Sequence, residues 1–166
     1  MVLVLKNLLF VVIVPGTVAV YVPLLIGRNR PIASGAVLAG AAALLAAGGA
    51  VCGWCVWDFA SLGRGTPAPI DAPKRLVTRG MYRFVRNPMY VGVLTIILGW
   101  AVLFKAEGLA VYAAVVGLCF HLFIVLYEEP HLRQTFGAQY DDYCARVGRW
   151  LPRRSRRSPD RAAEKR

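Results

Sequence analysis

Four stretches without a single Asp, Glu, Lys or Arg constrain this chain more than any other feature: residues 7–26, 31–57, 87–104 and 108–127. Each is about as long as the ~17–25 residues a helix needs to cross the hydrocarbon layer of a bilayer. A soluble domain of 166 residues would show charges recurring on its outward faces. Backbone inside lipid must satisfy its own hydrogen bonds, as a helix or a closed barrel. Strict apolar/polar alternation is absent, so the expected fold class is all-α: an integral membrane bundle of four transmembrane helices. The first run has only Lys6 ahead of it and no small-residue cleavage site near its end. It reads as a retained anchor rather than a signal peptide.

Charge suggests the orientation. Of 20 Lys and Arg, six lie between the second and third runs (Arg64, Lys74, Arg75, Arg79, Arg83, Arg86) and ten follow the fourth. Only Arg28, Arg30 and Lys105 fall on the opposite side. Basic residues concentrate in cytoplasmic loops, so both termini and the 58–87 loop are expected in the cytoplasm. The net charge of +11 then reflects topology and attraction to the anionic inner leaflet. Nucleic acid is not an expected partner, because no soluble basic face exists to bind it.

Within this frame the chain reads as one membrane domain, 1–152, followed by a disordered basic tail, 153–166. Pro15-Gly16 predicts a kink in the first helix. The second run is built of small residues, with Gly49 and Gly53 four apart, and predicts a central packing helix. Residues 63–74 are rich in Gly and Pro and predict an irregular loop. After the fourth run, Leu132, Phe136, Tyr140, Tyr143 and Val147 recur at helical spacing between polar residues. That pattern predicts a cytoplasmic amphipathic helix, divided at Gly137.

Two constellations could carry chemistry. In "RGMYRFVRNPMY", 79–90, Asn87 and Pro88 suit the cap and first turn of a helix, and Tyr82 and Tyr90 suit a membrane interface. The same helix start, surrounded by arginines, also attracts an anionic or zwitterionic ligand. The second constellation is Glu128-Glu129 at the end of the fourth run. Adjacent carboxylates there face the negative end of a helix dipole, which costs up to ~1 kcal/mol each. Compensation comes either from the arginines of 75–86 or from a bound cation.

These two motifs, taken with "EEPHLRQTFGAQYDDYCARVGRWLP", resemble the isoprenylcysteine carboxyl methyltransferase and phospholipid methyltransferase superfamily of integral membrane enzymes. The resemblance rests on Gly80, Tyr82, Arg86, Asn87, Pro88 and Tyr90, then Glu128, Glu129, Leu132, Phe136, Gly137, Tyr140 and Tyr143, across roughly 74–152. It implies S-adenosylmethionine as methyl donor and a lipophilic, membrane-embedded acceptor, prenylated or lipid-like. Cofactor contacts implied by position are Lys74, Arg75, Leu76, Val77, Tyr82, Asn87, Pro88, Met89, Tyr90 and Glu128. Glu129 and Arg86 are the candidate catalytic residues, Glu129 as a base should the nucleophile be an amine. The family often has His where Asn87 stands, and Asn cannot act as a base near neutral pH. The prenylcysteine branch carries a substrate-contacting arginine where this chain has Ile124, which weighs against a prenylcysteine carboxylate.

Other readings are an NADPH-dependent enzyme like the sterol reductases, for which the chain is short, and a non-catalytic membrane scaffold. No Gly-x-Gly-x-x-Gly follows a strand, which excludes a soluble-type methyltransferase fold. Cys52 and Cys55 have redox spacing but read as small packing residues. His121, at membrane depth, is either functional or a packing histidine. The scattered cysteines and histidines have no metal-ligand spacing, and no metal is expected.

Overall fold

The structure, a computed structural model, describes residues 15–58, 61 and 76–153. Those residues are all-α: α1 (Thr17–Gly27), α2 (Gly35–Asp58), α3 (Pro88–Leu103), α4 (Glu107–Phe136) and α5 (Ala138–Arg146), with a 3-10 turn at Gly80–Arg83. The one extended pairing among them is an isolated parallel bridge between Val85 and Gly148.

Two helices, α2 with 24 residues and α4 with 30, are long and apolar enough to cross a membrane. Only 11 % and 22 % of their most apolar windows are buried. A soluble core helix hides such a surface; here it points outward, where hydrocarbon is the solvent that suits it. The third run forms a helix of 16 residues, about 24 Å at 1.5 Å per residue. It is shorter than the ~30 Å hydrocarbon layer. The first run begins among residues outside the described set.

The ends of the helices sort into two groups. Ala33 N–H donates to the Leu103 carbonyl at 2.7 Å, and Phe104 packs on Gly27. So the α1–α2 and α3–α4 connections lie together. At the other end Asp58 meets Met81, and Tyr90 meets Glu128. This up-and-down path brings both sequence motifs to one end of the bundle.

The break expected at Pro15-Gly16 appears just beyond it, as a π-helical turn at Thr17–Tyr21. Pro23 explains its position. With no N–H, Pro23 cannot donate to Ala19 O in α register or to Val18 O in π register. Both carbonyls find side-chain donors instead: Trp100 Nε1 reaches Ala19 O at 3.0 Å and Tyr112 Oη reaches Val18 O at 3.1 Å. In a water-free layer an unmet carbonyl would cost several kcal/mol.

The small residues of α2 serve close packing, but not at the positions their spacing suggested. Gly49 and Gly53 face open space. Gly48 meets Gly92 of α3, where a Cβ on Gly48 would come within 2.7 Å of the Gly92 carbonyl. Gly99 packs equally closely on Leu45. Backbones thus approach where both helices present glycine, the arrangement that dispersion and packing favour in lipid. Gly137, at φ +51, ends α4 and starts α5 as expected.

Candidate functional site

The 79–90 segment is a scaffolded turn. Gly80 adopts φ +59, a left-handed conformation that glycine takes without a Cβ penalty. The 3-10 turn follows and leaves Tyr82 buried against Cys55, Val77 and Met89. Tyr143 of α5 donates its hydroxyl to the Tyr82 carbonyl at 2.7 Å. Arg86 N–H donates to the Gly148 carbonyl at 2.8 Å, beside the Val85–Gly148 bridge. Asn87 stands at the N-cap position of α3 and Pro88 at its first turn, as expected. The Asn87 side chain, however, makes no capping bond; its Nδ2 donates to the Arg149 carbonyl at 3.3 Å. It staples the C-terminal segment to the helix start.

The Glu128-Glu129 pair is divided by a π-helical turn, Ile124–Glu128. Such bulges rotate the residues that follow and recur at functional sites. Among the described residues, arginines compensate only one member of the pair. Glu129 is buried at 3 % exposure and held by three guanidinium groups. Arg149 donates from Nε to Oε1 at 2.7 Å and from Nη2 to Oε2 at 3.0 Å. Arg86 Nη1 donates to Oε1 at 3.0 Å, and Arg133 lies 3.6 Å from Oε2.

Glu128 accepts the Tyr90 hydroxyl at 3.0 Å on Oε2. Among the described residues no cationic side chain pairs with it. Tyr90 in turn packs its ring on Phe120, with centroids 4.6 Å apart. The end of the bundle therefore presents one carboxylate neutralised by arginines and, next to it, one held among the described residues by a tyrosine hydroxyl.

Both catalytic candidates sit in an ionic lock: Glu129 accepts two arginine hydrogen bonds on Oε1 and one on Oε2. Arg86 donates from Nη1 to Glu129 at 3.0 Å and to the Cys144 sulfur at 2.8 Å, while its buried Nε has no hydrogen-bond partner among the described residues. Both residues lock α3, α4 and α5 together. Of the implied cofactor contacts, Val77, Tyr82 and Met89 share one buried cluster with Cys55. Pro88 is fully buried and Asn87 is 7 % exposed. Leu76 packs instead against Tyr140, Tyr143 and Val147. Lys74 and Arg75 lie outside the described residues.

Three contributors were not singled out in the sequence, although Arg149 and Trp150 lie within the second motif stretch. Arg149 is the principal partner of Glu129. Its own guanidinium is held charged above the usual arginine range, chiefly by that hydrogen bond. Asp58, at the end of α2, is 5 % exposed and accepts the Met81 N–H at 3.3 Å. Trp150 donates Nε1 to His121 Nδ1 at 3.3 Å, giving that histidine a packing partner. The phenols of Tyr82 and Tyr143 are pushed up by burial. Both stay neutral donors at ordinary pH. Cys52 donates its thiol to the Met89 carbonyl at 3.8 Å, and the four cysteines are unpaired. Among the described residues no group of His, Cys, Asp and Glu is arranged to hold a metal.

Comparison with known proteins agrees with the motifs. The profile of the phospholipid methyltransferase family matches residues 36–139. Over 78 residues the chain is 38 % identical to protein-S-isoprenylcysteine O-methyltransferase B of Arabidopsis thaliana, covering 47 % of this chain and 40 % of the plant protein. Over 77 residues it is 40 % identical to protein-S-isoprenylcysteine O-methyltransferase A of the same plant, covering 39 % of that protein. It is also 37 % identical over 80 residues to methanethiol S-methyltransferase 1 of Bradyrhizobium diazoefficiens, covering 27 % of that protein. The matched stretch thus spans well under half the length of each of these relatives.

Proposed function

Because this chain belongs to the phospholipid methyltransferase family, we propose that it is a membrane methyltransferase that uses S-adenosylmethionine to methylate a lipophilic acceptor. One observation carries the reading: among the described residues Glu128 has no counter-cation while its neighbour Glu129 has three. A partly buried carboxylate without a cation is costly, and a ligand carrying positive charge beside an aromatic wall relieves that cost. The donor fits, since it combines sulfonium and ammonium centres with an adenine and a carboxylate.

S-adenosylmethionine supplies an electrophilic methyl group on a cationic sulfur. The chain's own residues do the rest. Tyr90 holds the Glu128 carboxylate in one rotamer by its hydrogen bond. Tyr82, Val77 and Met89 form an apolar wall beside it. The Arg86–Glu129–Arg149 lock fixes the ends of α3 and α4, so nucleophile and methyl can be held in line. Such positioning supplies much of the acceleration in a displacement of this kind. A nucleophile that is already anionic, a thiolate or a carboxylate, needs no base, consistent with Glu129 being occupied.

The acceptor reaches the site from the bilayer, and the site faces the cytoplasm in a four-span arrangement; the basic tail expected over 153–166 lies, beyond Arg153, outside the described residues. Ile124 is 1 % exposed and packed in the core. That position offers no cation to an acceptor carboxylate, so the reading favours an apolar acceptor such as a thiol. Calorimetry of the protein in lipid nanodiscs with S-adenosylmethionine tests the proposal. Wild type should bind, and Glu128→Gln should weaken binding roughly tenfold, the loss of one charge-assisted contact of about 1.5 kcal/mol. Absence of binding by the wild type, or full affinity in Glu128→Gln, refutes it.

A further inference from the structure

We propose that Asp58, from α2 and outside both sequence motifs, is the positioning residue that sets the Gly80–Arg83 turn for cofactor binding. The inference rests on the methyltransferase reading and adds to it a determinant outside both motifs.

Asp58 is the last described residue of α2 before residues 59–60, and is 5 % exposed. Burying a carboxylate carries a desolvation cost. Its contacts show what offsets that cost. Oδ2 accepts the backbone N–H of Met81 at 3.3 Å. The carboxylate lies so close to Gly80 that a Cβ there would overlap it. Gly80 also stands at φ +59, so glycine is required twice at one position, by conformation and by contact.

One turn earlier on the same face of α2, Cys55 packs against Tyr82 in one buried cluster. Residues 55 and 58 therefore grip two consecutive residues of the turn, one by its side chain and one by its backbone. Tyr143 holds the opposite side through the Tyr82 carbonyl. The Tyr82 ring cannot pivot about its backbone unless one of these contacts breaks. Asp58 acts here as an acceptor for a peptide N–H, a role an amide oxygen also fills.

The experiment compares wild type, Asp58→Ala, Asp58→Asn and Gly80→Ala in nanodiscs, by calorimetry with S-adenosylmethionine and by amide hydrogen exchange without ligand. The proposal expects Asp58→Ala to raise the dissociation constant about tenfold, the usual scale for a hydrogen bond to a charged group, at unchanged stoichiometry. Asp58→Asn should stay within about threefold of wild type. Gly80→Ala, which displaces the carboxylate from the other side, should reproduce the loss even if Asp58→Ala does not fold. Exchange at residues 81–84 should quicken in Asp58→Ala and Gly80→Ala only. A purely structural role would lower the binding stoichiometry and leave the dissociation constant alone, and that outcome overturns the proposal. So does an Asn variant as weak as Ala, or unaltered exchange in the turn. If wild type binds no cofactor, the functional reading falls separately, while the exchange data still decide whether Asp58 holds the turn.

Discussion

Removing Arg149 tests the ionic lock most directly. Its guanidinium makes two bonds to Glu129, at 2.7 and 3.0 Å, with its side chain 31 % exposed and that of Glu129 4 % exposed. Taking one partner from a buried ion pair costs about 3–5 kcal/mol. Arg86 still pairs with Glu129 at 3.0 Å in the variant, and solvent reaches part of Arg149, so the expected loss for Arg149→Ala is about 2–3 kcal/mol. At ~2–4 °C per kcal/mol for a chain of this size, the melting temperature should fall by about 4–12 °C. Arg133 is the internal control. It lies 3.6 Å from Glu129 with its side chain 49 % exposed, and Arg133→Ala should cost only ~0.5 kcal/mol. Thermal melts followed by tryptophan fluorescence in nanodiscs read both. The Arg149→Ala and Glu129→Gln effects should also be non-additive, since each removes the same contact. Equal shifts for Arg149→Ala and Arg133→Ala, or additive behaviour of the double variant, would show that the hub assigned to Glu129 is wrong.

Other expectations follow from the same geometry. Tyr90→Phe leaves Glu128 without its hydroxyl donor and should weaken S-adenosylmethionine binding about 3–10-fold by calorimetry, an ordinary hydrogen-bond loss. Trp100→Phe strands the Ala19 carbonyl beside Pro23 and should lower stability by about 1–3 kcal/mol in thermal melts. Gly92→Ala forces α2 and α3 apart at Cys52 and Gly48 and should destabilise the bundle by about 1–3 kcal/mol, whereas Gly49→Ala, facing open space, should not. Burial raises the phenols of Tyr82 and Tyr143, so the folded state binds their protons more tightly than the unfolded chain does. Their contribution is complete below the unfolded value of about 10 and is lost as pH rises above it. Melts in alkaline buffer should therefore show the tyrosine-linked part of stability falling above about pH 10, with tyrosinate absorbance appearing together with unfolding.

Much of the site can be read along the chain because its signals are local or carried in order. Pro88 starts α3 because its missing N–H costs nothing at a first helical turn, and Gly137 breaks a helix wherever it needs positive φ. The two motifs announce themselves by residue type and spacing. Their meeting follows from the up-and-down path of the apolar helices, which returns the chain to the same end of the bundle. The pairing of side chains across that path is a different matter. Nothing in "NP" says that Asn87 will bond to Arg149 rather than cap its own helix. The competing acceptor lies 62 residues away.

Helical phase decided what composition could not. Glycines one position apart in α2 are alike in sequence, yet Gly48 faces α3 and Gly49 faces outward, because one residue is a rotation of about 100°. The same rotation, with a π turn added, sends Glu128 to a tyrosine and Glu129 to three arginines. Asp58 and Pro23 looked incidental until the backbone groups they serve, Met81 N–H and the Val18 and Ala19 carbonyls, came into place around them. By itself the sequence determined that apolar helices form, where they break and which residue types gather at one end. Only the tertiary structure decided which charge meets which partner, since that depends on rotation and approach between segments far apart in the chain.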